Sequence, residues 1–508
     1  MEKLLLSLIV FLPIFGVAII LFLPAARLQL IRATATITCA LVLALSVYLV
    51  YIFDPHAANT GTALGGFNKA TLIELPWIKS FHIYYRLGID GLAVSLVFLT
   101  ALLSFLACFI AFPIKLQVKA FFVLYLLLVT GMMGVFMSLD FFLFYVFWEV
   151  MLLPMYFLIG IWGGERRAYA AIKFFIYTLL GSVLILVVIL AYYFKMSALG
   201  LNEYAFNIPE LIMRRPFDEH PTVGWLQIVL FFCLFIGFAI KIPVFPFHTW
   251  LPDAHVEAPT AISVILAGVL LKMGGYGILR INYPLLPEVA SLSWVMYFMA
   301  LLGVINIIYG AFCALGQTDF KRLVAYSSVS HMGYALLGIA VLSNEGVNGA
   351  VFQMFAHGIS SAMMFMIVGV LYERAHHRDL NRFGGIARQM PNYFALAVVA
   401  FFSSLGLPAL IGFIGEILVF LGVYRYSAEL TGIALIGLLL TASYILLTMQ
   451  RVYLGDPKEA HNSYRDCTVW EYCALVPLAL SSIVFGCFPG LLLDLVKNSS
   501  AAFVKLFS

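Results

Sequence analysis

The sequence predicts an all-α, polytopic membrane protein with about fourteen transmembrane helices. Its 508 residues are 63% hydrophobic and only 11% charged, whereas about a quarter of the residues in an ordinary soluble protein are charged. Runs of about 20 mostly apolar residues, the length that a helix needs to cross a bilayer, recur from one end of the chain to the other. A water-soluble globule cannot bury so much apolar side chain, and we therefore expect the chain to be integral to a membrane.

The predicted transmembrane helices are the apolar runs that lie between charged residues, glycines and prolines. The first run is interpreted as a transmembrane helix rather than a signal peptide, because it lacks a small-residue cleavage site and a second apolar run follows at once. The predicted spans cover residues 4–23, 31–53, 92–112, 120–137, 141–162, 174–194, 225–245, 259–279, 289–314, 323–342, 351–372, 393–424, 432–449 and 472–488.

Lysine and arginine are unevenly distributed between the connections. Because basic connections stay on the cytoplasmic side, we expect the connections after odd-numbered spans to face the cytoplasm and both termini to lie on the outer side. The connections after odd-numbered spans carry Arg27, Arg32, Lys115, Lys119, Arg166, Arg167, Lys321, Arg322, Arg374, Arg378, Arg382, Arg388, Arg451, Lys458 and Arg465. Those after even-numbered spans carry Lys69, Lys79, Arg86, Lys195, Arg214, Arg215, Arg280 and Arg425.

Two predicted spans contain helix-breaking residues near the middle of the membrane. One carries Pro243 and Pro246 shortly after Lys241, and the other carries Gly406 and Pro408. Proline removes a backbone donor and clashes with the carbonyl four residues earlier, so each helix should break and leave polar backbone that needs a wet or protein-lined setting. Paired breaks in the two halves of a chain suggest an inverted repeat around an ion path. Two ordinary proline kinks are the alternative interpretation.

Four charged residues lie inside the apolar runs: Glu149, Lys241, Lys272 and Glu416. Each costs at least about 2.5–3.5 kcal/mol at the centre of a bilayer, so these residues are not ordinary packing. A buried lysine takes up or releases a proton readily when a carboxylate approaches or withdraws, which favours a proton-conducting path. Two buried salt bridges that clamp helices together are the structural alternative.

Two histidines could extend such a path. His331 and His357 each lie among serines, whose hydroxyl groups can hold water between proton carriers. A histidine in a helix is also commonly a hydrogen-bonded core residue, and both interpretations stay open. We expect His248 and His255 instead to shape the loop where the first broken span emerges.

Other chemistry finds little support in the sequence. The seven cysteines form no C-x-x-C motif of the kind that binds iron–sulfur clusters or structural zinc, and we interpret them as packing residues. There is no G-x-S-x-G, P-loop or H-E-x-x-H motif, and no carboxylate cluster at metal-ligand spacing. The net charge of +4 is spread over short connections, so a nucleic-acid partner is not expected.

Several motifs resemble the antiporter-like subunits of respiratory complex I, a family shared with multisubunit cation/proton antiporters. Within that family they resemble the subunit M type, which corresponds to mitochondrial chain 4. The chain also ends soon after its last predicted span, without the long lateral helix of subunit L. The motifs are Phe147-Trp148-Glu149, the runs Lys241 to Thr260 and Ile265 to Gly277, and the runs Gln317 to Leu323 and Ser328 to Gly333.

The resemblance implies a fourteen-helix subunit with two inverted five-helix repeats, one proton path and no cofactor of its own. Expected domains are N-terminal helices in 1–115, a first repeat in 116–285, a second in 286–455 and a C-terminal helix in 456–508. Glu149 matches the glutamate that modulates the protonation of Lys241 on the broken helix. Lys272 matches the central lysine of the path and Glu416 the exit carboxylate. The residues that match polar positions between those two are His331 and His357.

The resemblance also implies a function and a set of partners. We expect a proton-translocating membrane-arm subunit of a bacterial NADH:quinone oxidoreductase, in the inner (plasma) membrane, which couples quinone reduction to proton pumping. Its partners would be the antiporter-like L and N subunits and, through them, an NADH-oxidising arm. FMN, iron–sulfur clusters and quinone would be bound by those partners.

Three alternatives remain open at the level of the sequence. The chain could belong to a stand-alone cation/proton antiporter, which would have no NADH-binding partner. It could be the equivalent subunit of a ferredoxin-dependent plastoquinone reductase. It could also be an inert membrane spacer, which would tolerate the loss of Lys241 or Glu149.

Overall fold

The computed structural model describes residues 2–55, 72–218, 223–458 and 464–507. Most of these residues form helices, and one antiparallel hairpin of two strands, β1 (Ile73–Ile78) and β2 (Ile83–Leu87), follows the second helix. The helices of the first half are α1 (Glu2–Phe22), α2 (Leu28–Ile52), α3 (Gly91–Ile110), α4 (Val118–Met137), α5 (Phe141–Val150), α6 (Leu152–Trp162), α7 (Arg167–Ala198), α8 (Ile208–Arg214), α9 (Trp225–Lys241), α10 (Trp250–Glu257), α11 (Thr260–Ile265) and α12 (Leu271–Gly277). Those of the second half are α13 (Tyr283–Leu285), α14 (Pro287–Ala290), α15 (Ser293–Leu315), α16 (Phe320–Ala340), α17 (Asn344–Ala375), α18 (Ile386–Gln389), α19 (Pro391–Leu405), α20 (Ile411–Tyr426), α21 (Ala428–Val452), α22 (Val469–Cys487) and α23 (Gly490–Val504).

The predicted membrane helices are present. Within the described residues, twelve helical segments are long and apolar enough to cross a membrane, and they match twelve of the fourteen predicted spans. The other two predicted spans are the interrupted ones, which the structure resolves into α9 followed by α10 and into α19 followed by α20. Both predicted breaks are therefore confirmed.

The central helices are buried on all sides, whereas the outer ones are half exposed. In each span we consider the most apolar stretch of 18 residues. This stretch is entirely buried in α17 and in the span Thr260–Leu285, which joins α11, α12 and α13, and it is 94% buried in α16. The corresponding stretches of α2 and α22 are only 33% buried. A helix that is enclosed on every side can keep polar side chains away from lipid. The three enclosed segments carry Lys272, His331 and His357.

The prediction that Arg280 lies in a connection between two spans is wrong. The eighth span continues to Leu285 instead of ending near residue 279, so Arg280 lies inside the membrane helix. Its side chain is 1% exposed, forms an ion pair with Asp90 and donates a hydrogen bond from Nε to Tyr276 Oη at 3.0 Å. Arg280 therefore adds no charge to an even-numbered connection, and the charge asymmetry becomes larger. Lys69, which was counted with the same group, lies outside the described residues.

Several elements were not predicted from the sequence. Among them are the β1–β2 hairpin and α23, the second of two helices within 456–508. Helix α23 buries Leu492, Val496 and Phe503 along one face. It is anchored to α3 because Ser499 Oγ accepts a hydrogen bond from the backbone N–H of Gly91 at 3.0 Å. Because α23 also carries polar residues, it is not a uniformly apolar run, and the criterion used for the spans does not detect it.

Candidate proton path

The first helix break follows Lys241, the last residue of α9. The chain leaves the helix through Pro243 and continues to α10, so several backbone groups lose their helical partners. A buried side chain of α15 replaces two of them: Asn306 Oδ1 accepts from the N–H of Phe245 at 2.7 Å, and its Nδ2 donates to the carbonyl of Pro243 at 3.2 Å. This satisfies polar backbone that lipid could not satisfy. Sequence reasoning missed Asn306, because only tertiary packing brings it to the break.

Lys241 lies in an apolar, aromatic pocket at this break. Its side chain is 2% exposed, and Nζ lies 5.3 Å from the ring centroid of Trp148 and 5.5 Å from that of Phe174. Cation–π attraction to such rings stabilises the ammonium group only partly compared with water. Within the described part of the chain, no hydrogen bond or ion pair to Lys241 is formed.

Glu149 lies next to Trp148 on α5 and faces the same region. One of its carboxylate oxygens, Oε1, is buried without a hydrogen-bond partner. The carboxylate interacts electrostatically with Lys241 and with Tyr145, which lies one helical turn earlier. The described residues nevertheless form no contact ion pair between Glu149 and Lys241. The two charges are thus close but separated.

Lys272 is fully buried in the eighth span and contacts two acceptors. Nζ lies 2.7 Å from Nδ1 of His357 on α17, and it also donates to the carbonyl of Ala267. Two wide π-helical turns flank its segment, Leu266–Leu270 before and Ile278–Asn282 after. Such turns shift the face of a helix and are frequent at functional sites. The predicted residues Lys272 and His357 are therefore brought into direct contact.

The two histidines continue the chain of contacts towards Glu416. The ring centroids of His357 and His331 are 5.8 Å apart. Nδ1 of His331 lies 3.4 Å from Oε1 of Glu416, and its Nε2 lies 2.9 Å from Oγ of Ser404. All of these side chains are buried. Lys272, His357, His331 and Glu416 thus form one line of neighbours, and Ser404 is a contact that the sequence did not reveal.

The second helix break positions Glu416. Helix α19 ends at Leu405, and the next residue, Gly406, has a φ of +78°, a left-handed conformation that glycine adopts without strain. The carboxylate of Glu416 lies against this residue, because a Cβ added at Gly406 would meet Oε2 at only 2.5 Å. The break and the carboxylate on α20 therefore occupy the same place, as the sequence pattern predicted.

The helices that carry the two lysines cross at close range. A Cβ added at Gly274 on α12 would lie 2.6 Å from the carbonyl oxygen of Phe238 and 2.9 Å from the nitrogen of Ile242. Gly274 thus lets the Lys272 helix approach the end of α9, where Lys241 lies. No direct hydrogen bond joins the two lysines in the described residues.

His248 and His255 lie where the sequence placed them, directly after the first break. His248 is buried in the short turn before α10, and His255 is buried in α10 with its ring stacked on Phe365 at 4.3 Å. Both nitrogens of each ring lack a hydrogen-bond partner. Their rings pack among aromatic side chains, which fits the predicted role in shaping this segment.

Comparison with known proteins identifies the family. Residues 138–442 match the family model of the NADH:quinone oxidoreductase/Mrp antiporter transmembrane region. The chain is 44% identical to NADH-quinone oxidoreductase subunit M of Rickettsia bellii over 427 residues, 83% of each chain. It is 39% identical to the Rhodobacter capsulatus subunit M over 516 residues, 99% of this chain and 96% of that one. The chain belongs to the NADH-quinone oxidoreductase subunit M family.

The fold of this chain agrees with that of a solved relative. A chain of respiratory complex I from Thermus thermophilus with bound NADH has a TM-score of 0.87 at 30% identity, and the match covers 99% of this chain and 100% of that one. The predicted path residues all lie within the region matched by the family model. They are Glu149, Lys241, Lys272, His331, His357 and Glu416.

Proposed function

We propose that this chain translocates protons in the membrane arm of a bacterial NADH:quinone oxidoreductase. The observation that carries the proposal is the line of buried side chains from Lys272 through His357 and His331 to Glu416. Acids and bases in contact at this depth can pass a proton, whereas a structural clamp would need only one ion pair. Hereafter the proton path means these four residues together with Glu149 and Lys241.

The proton path is controlled at its first pair. A carboxylate close to an amine stabilises the ammonium form, and its withdrawal favours release of the proton. Glu149 and Lys241 are near each other without forming a contact ion pair, so a small movement of α5 relative to α9 can change their interaction substantially. In a poorly solvated site the energy of such a pair changes by several kcal/mol over a few ångströms. We infer that this movement loads and unloads Lys241.

The second part of the proton path, from Lys272 to Glu416, conducts protons. Imidazole can accept a proton on one ring nitrogen and release one from the other, so Nδ1 of His357 receives the proton from Lys272. Nε2 of His357 has no hydrogen-bond partner among the described residues, so it would pass another proton to His331 through water. His331 presents Nδ1 to Glu416 and is oriented by the hydroxyl of Ser404 at Nε2. Water between Lys241 and Lys272 would complete the proton path, because the two helices are close there.

The orientation and the repeat structure are further parts of this proposal. The basic connections after odd-numbered spans place those connections on the cytoplasmic side of the inner (plasma) membrane, with both termini on the outer side. The breaks at Lys241 and at Gly406 occupy equivalent places in two inverted five-helix repeats, residues 116–285 and 286–455. Residues 1–115 and 456–508 flank these repeats.

A subunit that moves protons without redox chemistry of its own needs partner subunits that supply the free energy. We propose that L- and N-type membrane subunits flank this chain and connect it to an NADH-oxidising arm that binds FMN and iron–sulfur clusters. Material purified through a tag on this chain should therefore comigrate with flavin and iron–sulfur subunits in native electrophoresis. The same material in vesicles should take up protons when NADH and quinone are supplied.

The test separates the proposal from a stand-alone antiporter, the other activity in the family description. An antiporter would purify with other antiporter subunits and would exchange cations for protons without NADH. Ferredoxin-dependent activity with plastoquinone would instead indicate the photosynthetic-type enzyme. Recovery of this chain alone, as a small stable species, would contradict every hypothesis in which partner subunits supply the free energy for proton transport.

A further inference from the structure

A large cavity opens at one end of the helical region, away from the proton path. Its volume is about 1050 Å³, which is at the upper end of the range for pockets that hold small molecules. It lies where α2 and α22 begin and where α3 and α17 end. The stacked rings of Phe109 and Trp470, 6.0 Å apart, and the ion pair between Arg374 and Glu471 show that these helix ends meet.

One wall of the cavity is apolar and aromatic. Phe112 lies edge-on to Trp470 at 5.0 Å and continues the stack with Phe109. The opposite wall is α2, which presents Ala33 and the 59%-exposed side chain of Ile37. Tryptophan and other aromatic residues are typical of the boundary between the hydrocarbon core and the headgroups. The wall therefore suits an acyl chain that enters from the bilayer.

The polar end of the cavity has donors that the protein leaves unused. Arg32 is held by a hydrogen bond from Nη2 to the carbonyl of Ile114 at 2.9 Å, yet its Nε is buried without a partner. The side chains of Arg465, a donor, and Glu373, an acceptor, also line the cavity. Both are exposed, and neither side chain has a hydrogen-bond or ionic partner among the described residues. A buried guanidinium donor without an acceptor is costly, so this end of the cavity is suited to an anionic group.

Arg374 in the same lining provides an internal comparison. Its guanidinium donates to both carboxylate oxygens of Glu471, at 2.9 and 2.8 Å, and to three backbone carbonyls. It is thus fully used in holding α17 to the start of α22. Arg32 and Arg465 are the arginines of this lining that remain available for a ligand.

We propose that this cavity binds one glycerophospholipid, whose phosphodiester is held by Arg32 and Arg465 and whose acyl chain lies along the aromatic wall. Arginine is well suited to phosphate oxygens because its donors form a fork. Basic pockets between transmembrane helices commonly bind lipid headgroups. The unpartnered Glu373 carboxylate adds a site for a headgroup ammonium, so phosphatidylethanolamine is the favoured lipid over phosphatidylglycerol. The lipid stabilises the contact between the N-terminal helices and α22, and its binding does not depend on the proton path.

The experiment uses the intact purified complex. Phospholipid that remains after extensive detergent exchange is counted by mass spectrometry for the wild type, for Arg32→Gln and for Ala33→Trp, which fills the cavity without removing a charge. Arg27→Gln is the matched control, because it removes the same charge from the same end of α2 outside the cavity. We expect both cavity variants to retain one phospholipid fewer per complex than the wild type and the control.

Addition of lipid to the stripped complexes then tests the headgroup. Phosphatidylethanolamine should raise the thermal denaturation temperature of the wild type and of Arg27→Gln, but not that of Ala33→Trp, because a ligand that binds only the folded state stabilises it. A larger shift with phosphatidylglycerol would replace the headgroup assignment. Equal lipid counts in all four complexes, or a segment of a neighbouring subunit seen in the cavity of the intact complex, would overturn the proposal.

Discussion

The two ends of the proton path are built differently. At the first, Lys241 and Glu149 are near each other, but neither a hydrogen bond nor a contact ion pair joins them in the described residues. At the other, Lys272, His357, His331 and Glu416 follow one another at contact or near-contact distances. Lys241 and the four residues of the second region are all buried near a broken helix, whereas Glu149 is partly exposed.

The difference indicates a division of roles. A pair without fixed contacts can change its separation at little cost, whereas side chains packed in the interior and held by contacts such as Lys272–His357 and His331–Ser404 resist movement. We therefore propose that Glu149 and Lys241 control protonation and that the line from Lys272 onward conducts. Substitutions of Glu149 or Lys241 should block the control of protonation, which no other residue can perform. Substitutions along the line from Lys272 onward should slow proton transfer without stopping assembly.

The largest effect is expected for Lys241→Ala. The substitution removes the proposed proton carrier at the first break. NADH-driven proton uptake in membrane vesicles should be abolished or severely reduced, and quinone reductase activity should fall with it if the two processes are tightly coupled.

The amount of assembled complex must be measured in the same membranes. Lys119→Ala is a suitable control, because Lys119 lies at the start of α4 and donates only to backbone carbonyls of α1 and its C-terminal end. A fall in uptake that merely follows a fall in assembled complex would assign Lys241 to structure instead.

Glu149→Gln should have the next largest effect. It keeps the size of the side chain but removes the charge that stabilises protonated Lys241, so turnover should be impaired while assembly stays intact. Glu149→Asp should keep part of the activity. Tyr145 lies one turn earlier and interacts with Glu149, so Tyr145→Glu combined with Glu149→Gln should restore part of the turnover, because residues at i and i+4 share a helix face.

These variants are compared by NADH-driven proton uptake at equal complex content. Equal rates for the wild type and Glu149→Gln would remove Glu149 from the mechanism. Failure of the double variant alone would show that the carboxylate must be at position 149, not that it is dispensable.

The sequence was sufficient to predict the membrane-spanning helices, the two breaks and the burial of Lys241, Lys272 and Glu416. Long apolar runs, prolines inside them and rare charged residues each affect the structure locally, so their effect can be predicted without knowledge of the tertiary packing. It was not sufficient for the order of contacts, because the meeting of His357 with Lys272 and of Ser404 with His331 depends on how distant helices pack. Arg280 was misplaced for a related reason: its partner, Asp90, lies in another part of the chain, so the arginine resembled the end of a span.

Replacement of either histidine should slow proton transfer strongly but not affect assembly. A positioned acid–base group typically contributes about 100-fold or more to a proton-transfer step, so His357→Ala and His331→Ala should each cost about that factor in the transfer step. Pre-steady-state proton uptake measures this step directly. If either variant matches the wild type, that histidine is a core residue, which was the alternative that the sequence left open.

The smallest effect is expected for Ser404→Ala. Its hydroxyl contacts Nε2 of His331 at 2.9 Å and so holds the ring with Nδ1 towards Glu416. One hydrogen bond contributes about 1 kcal/mol, which is a factor of about five in the population of the oriented ring. Proton uptake should therefore fall by no more than about fivefold. Ser403→Ala is the matched control, because the neighbouring hydroxyl contacts Ser482 and a backbone carbonyl instead of the proton path. If Ser403→Ala and Ser404→Ala reduce uptake equally, the loss comes from packing at the second break, and His331 needs no orienting partner.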